Sequence, residues 1–298
     1  MRKWIKHAII RGDQGNAPQP SGADDHFALM GGYAPDDAYQ SKEQFFARHL
    51  EAHPRLVAYD RYLQRSVSKG ETILSVASGR CANELKLMET IGCNIICSDL
   101  REPPCLAASR LLFPYLRFAP LDVTSDGPPG VYDSVLSLSL IYALDDRQLE
   151  AFFSFVITAL KPSGRLLLDL AGSPDNLPSF MLHDVFLPAE ARVIAAYRTL
   201  RHRTRHRVEQ TTHGYRRTLE DVVRVARRAG LVVTHCHEDG FDLDFRRGVL
   251  LSRVASTNLG VDMLTRIGRR MPYIRMVQMT RSVPDSAGCT DFSEAGRG

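Results

Sequence analysis

The sequence predicts an α/β protein built on one largely parallel, doubly wound sheet. Between residues 72 and 236, short β-branched runs alternate with helical stretches, and three of the runs end at Gly79, Asp99 and Asp122. Strands separated by helices of about ten to fifteen residues need right-handed crossovers, which lay the strands parallel. Composition agrees: the 298 residues are 44% hydrophobic and 24% charged, enough to enclose a core without disulfide staples.

Taken in order, residues 11–40 are rich in Gly, Pro, Asp and Asn and read as an irregular lead-in. From Ser41 to Ser68, Phe45, Phe46, Leu50, Leu56, Tyr59 and Leu63 recur at three- and four-residue spacing, a helical pattern broken once at Pro54. Thr72–Ala77 is then a strand, 82–91 a helix, Asn94–Ser98 a strand, 103–114 a helix and Leu116–Leu121 a strand. Val131–Leu140 is a fourth strand, Asp145–Leu160 a strongly periodic helix, 161–164 (KPSG) a turn and Arg165–Leu170 a fifth strand. Leu219–Ala229 is a helix stopped by Gly230, Leu231–Cys236 a sixth strand, and Tyr273–Thr280 alternates like a final one. This divides the chain into an amino-terminal extension and helical cap (1–69), one α/β domain (70–281) with insertions at 172–218 and 240–270, and a Ser- and Gly-rich tail (282–298) expected to be disordered.

Charge is uneven. Lys and Arg number 38 against 34 acids, but Arg198–Arg217 holds seven arginines and one acid, so the remainder is slightly acidic. Six sparse cysteines suit reduced thiols and a cytoplasmic location. The amino terminus lacks the apolar run of a signal peptide, and no transmembrane segment is expected. Trp4, Ile5, Ala8 and Ile9 would share one face of a terminal helix, docked on the protein or lying against a membrane.

In a doubly wound sheet, ligands bind at the carboxyl ends of the strands, where the first strand-to-helix turn brings backbone close to them. Here that turn is Ala77-Ser78-Gly79-Arg80-Cys81, and Asp99 stands 20 residues after Gly79 at a strand end, where an acid can receive a ribose hydroxyl pair. The run Ile73-Leu74-Ser75-Val76-Ala77-Ser78-Gly79-Arg80-Cys81, the strand-end acids Asp99 and Asp122, the strand Tyr132–Ser139 and the phrase Leu160-Lys161-Pro162-Ser163-Gly164 occur in the order and spacing of a known set. In these landmarks the chain resembles the class I S-adenosylmethionine-dependent methyltransferases of the type 11 kind. The resemblance implies a Rossmann-like, seven-stranded sheet with its last strand antiparallel, and S-adenosylmethionine as cofactor. Ser75, Ala77, Ser78 and Gly79 would line the methionine end. Asp99 and Leu100 would hold the ribose, Asp122 and Val123 would face the adenine, and Ser137, Leu138 and Tyr142 would close the far side. Ser75 stands where the family carries an acid, Ala77 replaces its first glycine and Cys81 its third, so Glu84, one turn into the following helix, is the candidate for the charge that meets the methionine ammonium.

Methyl transfer from a sulfonium needs an aligned acceptor and little water, and a base only when the acceptor is a hydroxyl or weakly acidic carbon. The Asn/Asp-Pro-Pro-Tyr motif of exocyclic-amine enzymes is replaced by Ser137-Leu138-Ser139-Leu140-Ile141-Tyr142, and no cysteine lies between Cys105 and Cys236 to attack a pyrimidine, so DNA-base methylation is disfavoured. In the insertion at 172–218, His183 is the first candidate base, with Asp184 or Glu190 to orient it, and His213 the second; a surface or capping role is the commoner fate of a single histidine. Arg198, Arg201, Arg203, Arg205 and Arg207 alternate, so as a strand they would grip an anion, guard a sheet edge or, less in keeping with the sparse aromatics, dock RNA. The helical periodicity at Val249, Leu250, Val254, Leu259, Met263 and Ile267 reads as core, and His235-Cys236-His237-Glu238-Asp239 can offer only a pair of ligands per strand face, so no metal is expected. The expected function is methylation, at O or N, of a small-molecule or glycan-type metabolite, with the arginine-rich segment suggesting an anionic one; RNA or protein methylation and a non-catalytic S-adenosylmethionine-binding scaffold are the alternatives.

Overall fold

The structure, a computed structural model, describes residues 2–11, 39–170, 172–239, 257, 266 and 273–282. The elements are β1 (Arg2–Arg11), α1 (Lys42–Phe46), a π-helical turn (Ala47–Glu51), α2 (Pro54–Ser66), β2 (Thr72–Val76), α3 (Ala82–Ile91), β3 (Asn94–Asp99), α4 (Leu106–Leu112), β4 (Arg117–Pro120), β5 (Tyr132–Ser137), α5 (Asp146–Ala159), β6 (Leu160–Asp169), α6 (Leu177–Phe180), a second π-helical turn (Met181–Phe186), α7 (Leu187–His202), β7 (His206–Arg216), α8 (Leu219–Arg228), β8 (Leu231–Asp239) and β9 (Ile274–Arg281). Seven strands form one sheet in the order β4-β3-β2-β5-β6-β9-β8. β2 to β6 pair in parallel, and β9 runs antiparallel to both β6 and β8.

The two-residue period of the strands sorts their side chains onto two faces. Ile73, Ile95, Leu136, Leu167 and Met276 pack with the amino-terminal helices, α3 and α4, around Phe45, Tyr59 and Phe113. Leu74, Val76, Val135, Leu166, Leu168, Val277 and Met279 pack with α5 and α8 around Phe152, Phe153 and Val222. α5 opens on a full capping box, Asp145 receiving the Gln148 N–H while Gln148 receives the Asp145 N–H. The KPSG turn is a bulge inside β6: Tyr132 pairs with Leu160 and Ser134 with Arg165.

Two expectations are corrected. The amino terminus is a strand, not a helix: β1 pairs antiparallel with β7 along its whole length, from Arg2 opposite Arg216 to Arg11 opposite His206. A ten-residue helix is marginal on its own, whereas pairing with a distant strand satisfies every other backbone group and buries Trp4. The alternating arginines are not a strand either, because α7, rich in alanine, runs on through Arg198 and Arg201 to His202, and Arg203 ends it at φ +50°. Only Arg207 lies in β7 before its closing Arg216, so these side chains do not share one face. Most of the periodic stretch at 249–267, most of the lead-in at 11–40 and the tail beyond Ser282, with Cys289, lie outside the described residues.

The last two arginines of the cationic segment are buried. Arg216 donates to the Gly172 carbonyl (2.7 Å), the Ser179 carbonyl (3.2 Å) and hydroxyl (3.1 Å), and Asp184 (2.6 Å). Arg217 donates to the Ile141 and Leu144 carbonyls (2.9 and 2.6 Å) and to Asp146 (3.0 Å). Removing a buried cation orphans its acceptors, a loss of about 3 kcal/mol. Arg216→Ala should therefore lower the unfolding free energy read from urea titration by that amount, while exposed Arg198→Ala changes it by less than about 0.5 kcal/mol.

Candidate active site at the strand ends

The loop after β2 turns sharply, with φ of +53° at Ala77, +53° at Gly79 and +59° at Cys81. Non-glycine residues adopt this left-handed region at a cost, so two of them in five positions mark a backbone shaped by something other than local preference. The loop is anchored from β3: Ser78 donates to the Ser98 carbonyl from its N–H (2.9 Å) and hydroxyl (3.1 Å), and the Gly79 N–H donates to Asp99 Oδ2 (3.2 Å). The Leu100 N–H donates to Asp99 Oδ1 (2.9 Å), and burial of this carboxylate outweighs both bonds and raises its pKa. Each Asp99 oxygen keeps a lone pair for a further donor. Leu100 is partly exposed beside it.

Behind the loop, Ser75 donates to Glu84 Oε1 at 2.6 Å, and both residues are buried. Glu84 thus occupies the ground beneath the loop that the resemblance gives to an acid on β2 itself. Burial raises its pKa, partly opposed by the Ser75 hydrogen bond. On the far side, Asp122 accepts from the Thr124 N–H (2.9 Å) and hydroxyl (2.6 Å); burial pushes its pKa up, but these bonds win and hold it low. Val123 and Leu138 are buried, and Ser137, fully buried at the end of β5, has a hydroxyl with no hydrogen-bond partner among the described residues.

A second cluster stands at the ends of β5 and β6. Asp169, buried, accepts from the Tyr59 hydroxyl at 2.5 Å and from the Ser139 N–H. Trp4 crosses above, meeting Tyr142 and His183 edge to face at 5.4 and 5.1 Å. Two glycines permit this packing. A Cβ on Gly172 (φ +71°) would stand 2.8 Å from the Trp4 ring, and one on Gly214 would stand 2.3 Å from the Tyr142 carbonyl, which the Tyr215 N–H reaches at 2.6 Å. His183 is buried, not a surface histidine, and its Nε2 is 2.9 Å from the Tyr273 hydroxyl. Asp184 does not orient it, being engaged by Arg216. His213 falls at the β1–β7 irregularity, where Trp4 pairs with Gly214 and Ile5 with Thr212. Tyr39 directs its hydroxyl to His49 (2.6 Å) within the amino-terminal aromatic cluster.

A cavity of about 10 Å³ lies among Ile141, Tyr142, Asp169, Leu170, Tyr215 and Arg217. The larger one, about 220 Å³, is a charged groove between α5 and α8 whose Arg217–Asp146, Arg224–Asp221 and Arg228–Glu150 pairs neutralise one another. It offers no reacting group at a strand end. Among the described residues no three His, Cys, Asp or Glu side chains gather as metal ligands. His237 stacks on Tyr62, Glu238 pairs with Arg275 and Asp239 with Arg61.

Sequence reasoning missed Trp4, Tyr59, Asp169 and Tyr273. Asp169 carried a signal, as an acid closing an apolar strand; Trp4 carried none, since its place depends on a strand more than 200 residues away.

Comparison with solved structures places this arrangement. The 1,6-didemethyltoxoflavin-N1-methyltransferase of Burkholderia thailandensis superposes with a TM-score of 0.52 over 93% of this chain and 96% of its own, at 11% identity. The N-methyltransferase NodS of Bradyrhizobium japonicum gives 0.49 over 86% and 97%, at 13% identity. The fold is that of the class I S-adenosylmethionine-dependent methyltransferases. No protein-family model and no curated protein matches the chain. The methyltransferase fold explains why the shaped loop, Asp99 and the Asp169 cluster converge on one edge: all sit at carboxyl ends of parallel strands.

Glu84 supplies a test of the loop's electrostatics. Its folded pKa lies above the unfolded value, so the native state holds the proton more tightly, and stability is lost as pH rises through the folded pKa. Glu84→Gln keeps an acceptor for Ser75 and should raise the urea midpoint at about pH 8 while changing little near about pH 4, where both forms are neutral.

Proposed function

We propose that this chain is an S-adenosylmethionine-dependent methyltransferase acting at O or N of a small-molecule or glycan-type acceptor. The observation that carries the reading is the loop at 77–81, held left-handed at three positions and tied through Gly79 to the carboxylate of Asp99. The residues present fit the cofactor. Asp99 retains lone pairs for a ribose diol, the orphan Ser137 hydroxyl awaits a partner, and buried Glu84 offers negative charge where the methionine ammonium would lie. Asp122, Val123, Leu138 and Tyr142 complete the wall, with Ser75, Ala77 and Ser78 beneath. The cofactor supplies an electrophilic methyl on a sulfonium, and the protein's work is to aim the acceptor and exclude water.

That work falls to the second cluster. Trp4, Tyr142 and Tyr215 give a planar acceptor aromatic surfaces, and β1 with β7 closes over it. Asp169 is pinned by Tyr59 and Ser139, which holds its carboxylate at the end of β6 without the side chain swinging. For a hydroxyl acceptor, His183 takes the proton, with Tyr273 fixing the ring; His213 is the second candidate. The Burkholderia enzyme, by its name an N1-methyltransferase of 1,6-didemethyltoxoflavin, is in keeping with this class. The exposed Arg198, Arg201, Arg203 and Arg205 lend no support to an anionic acceptor, because they lie at the outer end of α7 and its following turn.

Calorimetry with S-adenosylmethionine and S-adenosylhomocysteine tests the cofactor: both should bind, and binding of neither would sink the reading. Asp99→Ala should weaken binding about tenfold to a hundredfold, one or two charge-assisted hydrogen bonds. Glu84→Gln should weaken S-adenosylmethionine binding too, in contrast to its stabilising effect on the free protein. With an acceptor in hand, His183→Gln should lower kcat about a hundredfold or more and remove the acidic limb of the pH profile, where a protonated base is inactive, while leaving cofactor affinity unchanged.

A further inference from the structure

The outward side of α7 is apolar where a surface helix of a globular protein is ordinarily polar. Phe186, Val193, Tyr197 and Leu200 follow at spacings of seven, four and three, which sets them on one face, and their exposures are 36, 65, 57 and 81%. The opposite face buries Ala191 and Ala195, and α7 packs on β1 and β7. At about 100° per residue, exposed Arg192 and Arg201 stand one on each side of the apolar stripe. Arg201 donates to the Tyr197 hydroxyl at 3.1 Å, which fixes the ring at the border between apolar stripe and charge.

The charge is one-signed. Residues 185–205 hold five arginines, all exposed, and one acid, Glu190, which is buried. We propose that this face docks on the surface of a bilayer containing anionic phospholipid, the stripe entering the headgroup boundary and the arginines meeting lipid phosphates and carboxylates. A second copy of the chain is the poorer occupant, because symmetric pairing would bring the same arginines together. RNA is poorer too, because the line between the cations holds aliphatic side chains where a strand would want stacking rings. The proposal does not depend on the cofactor.

The full chain is co-sedimented with phosphatidylcholine vesicles with and without about 30 mol% phosphatidylserine. It should bind the anionic vesicles, bind neutral ones weakly, and be released by about 0.5 M salt. At about fivefold per cation, Arg192→Gln with Arg201→Gln should weaken binding roughly twentyfold, while the two Lys substitutions at these positions keep it. Val193→Ser with Leu200→Ser should weaken it about tenfold, these side chains being exposed and therefore dispensable for folding. Failure to bind anionic vesicles, or binding indifferent to both pairs, would overturn the proposal. So would a dimer in sedimentation that Leu200→Ser dissolves, or displacement from vesicles by a single-stranded RNA oligonucleotide.

Discussion

Two guanidinium groups set the position of the cap. Arg216 and Arg217 close β7 with almost no exposure, and a cation taken out of water must find acceptors for its donors. Arg216 finds them in Gly172, Ser179 and Asp184, the segment just after β6; Arg217 finds them in Ile141, Leu144 and Asp146, the segment just after β5. The planar fork reaches several carbonyls at once, which an ammonium could not do from one position. The end of β7 is thereby fastened over the two strand ends that carry the second cluster. Because β1 pairs with β7, the amino terminus and Trp4 arrive with it.

The cap and the sheet then meet through contacts that leave little room. Trp4 rests on Gly172, Gly214 passes against Tyr142, and His183 is held between Trp4 and Tyr273. Below, Asp99 and Glu84 are buried carboxylates held, among the described residues, by neutral donors. Such groups cost stability, and both are raised in pKa by burial. Their concentration around one shaped loop fits a site in which stability is given up for recognition.

Helix α7 shows how one element can face two ways. It packs on the β1–β7 ribbon and buries Ala191 and Ala195. Its outer side is therefore free to vary, and carries an apolar stripe bordered by arginine. The same cationic segment so divides into two structural ends, exposed at α7 and buried at the close of β7, although its residues form a single block in the sequence.

Much of the sheet was legible in residue order, because each strand of the parallel core is a short apolar run with its own turn chemistry, and period two assigns its faces. The loop at 77–81 and Asp99 were legible for the same reason: they follow directly from where a strand stops. The amino-terminal strand and the fate of the arginines were not. Trp4, Ile5, Ala8 and Ile9 match a helical face as well as they match a strand, and only pairing with β7 settles the choice. Alternating arginines likewise read as strand until the alanine-rich helix before them propagates through their first members. Local pattern and short crossovers were enough to set the sheet, its switch point and the strand-end positions of Asp99 and Asp122, all readable in residue order. Tertiary structure decided the cap, the partners of His183 and the inward turn of Arg216 and Arg217, since burial and long-range pairing depend on residues far apart in the chain.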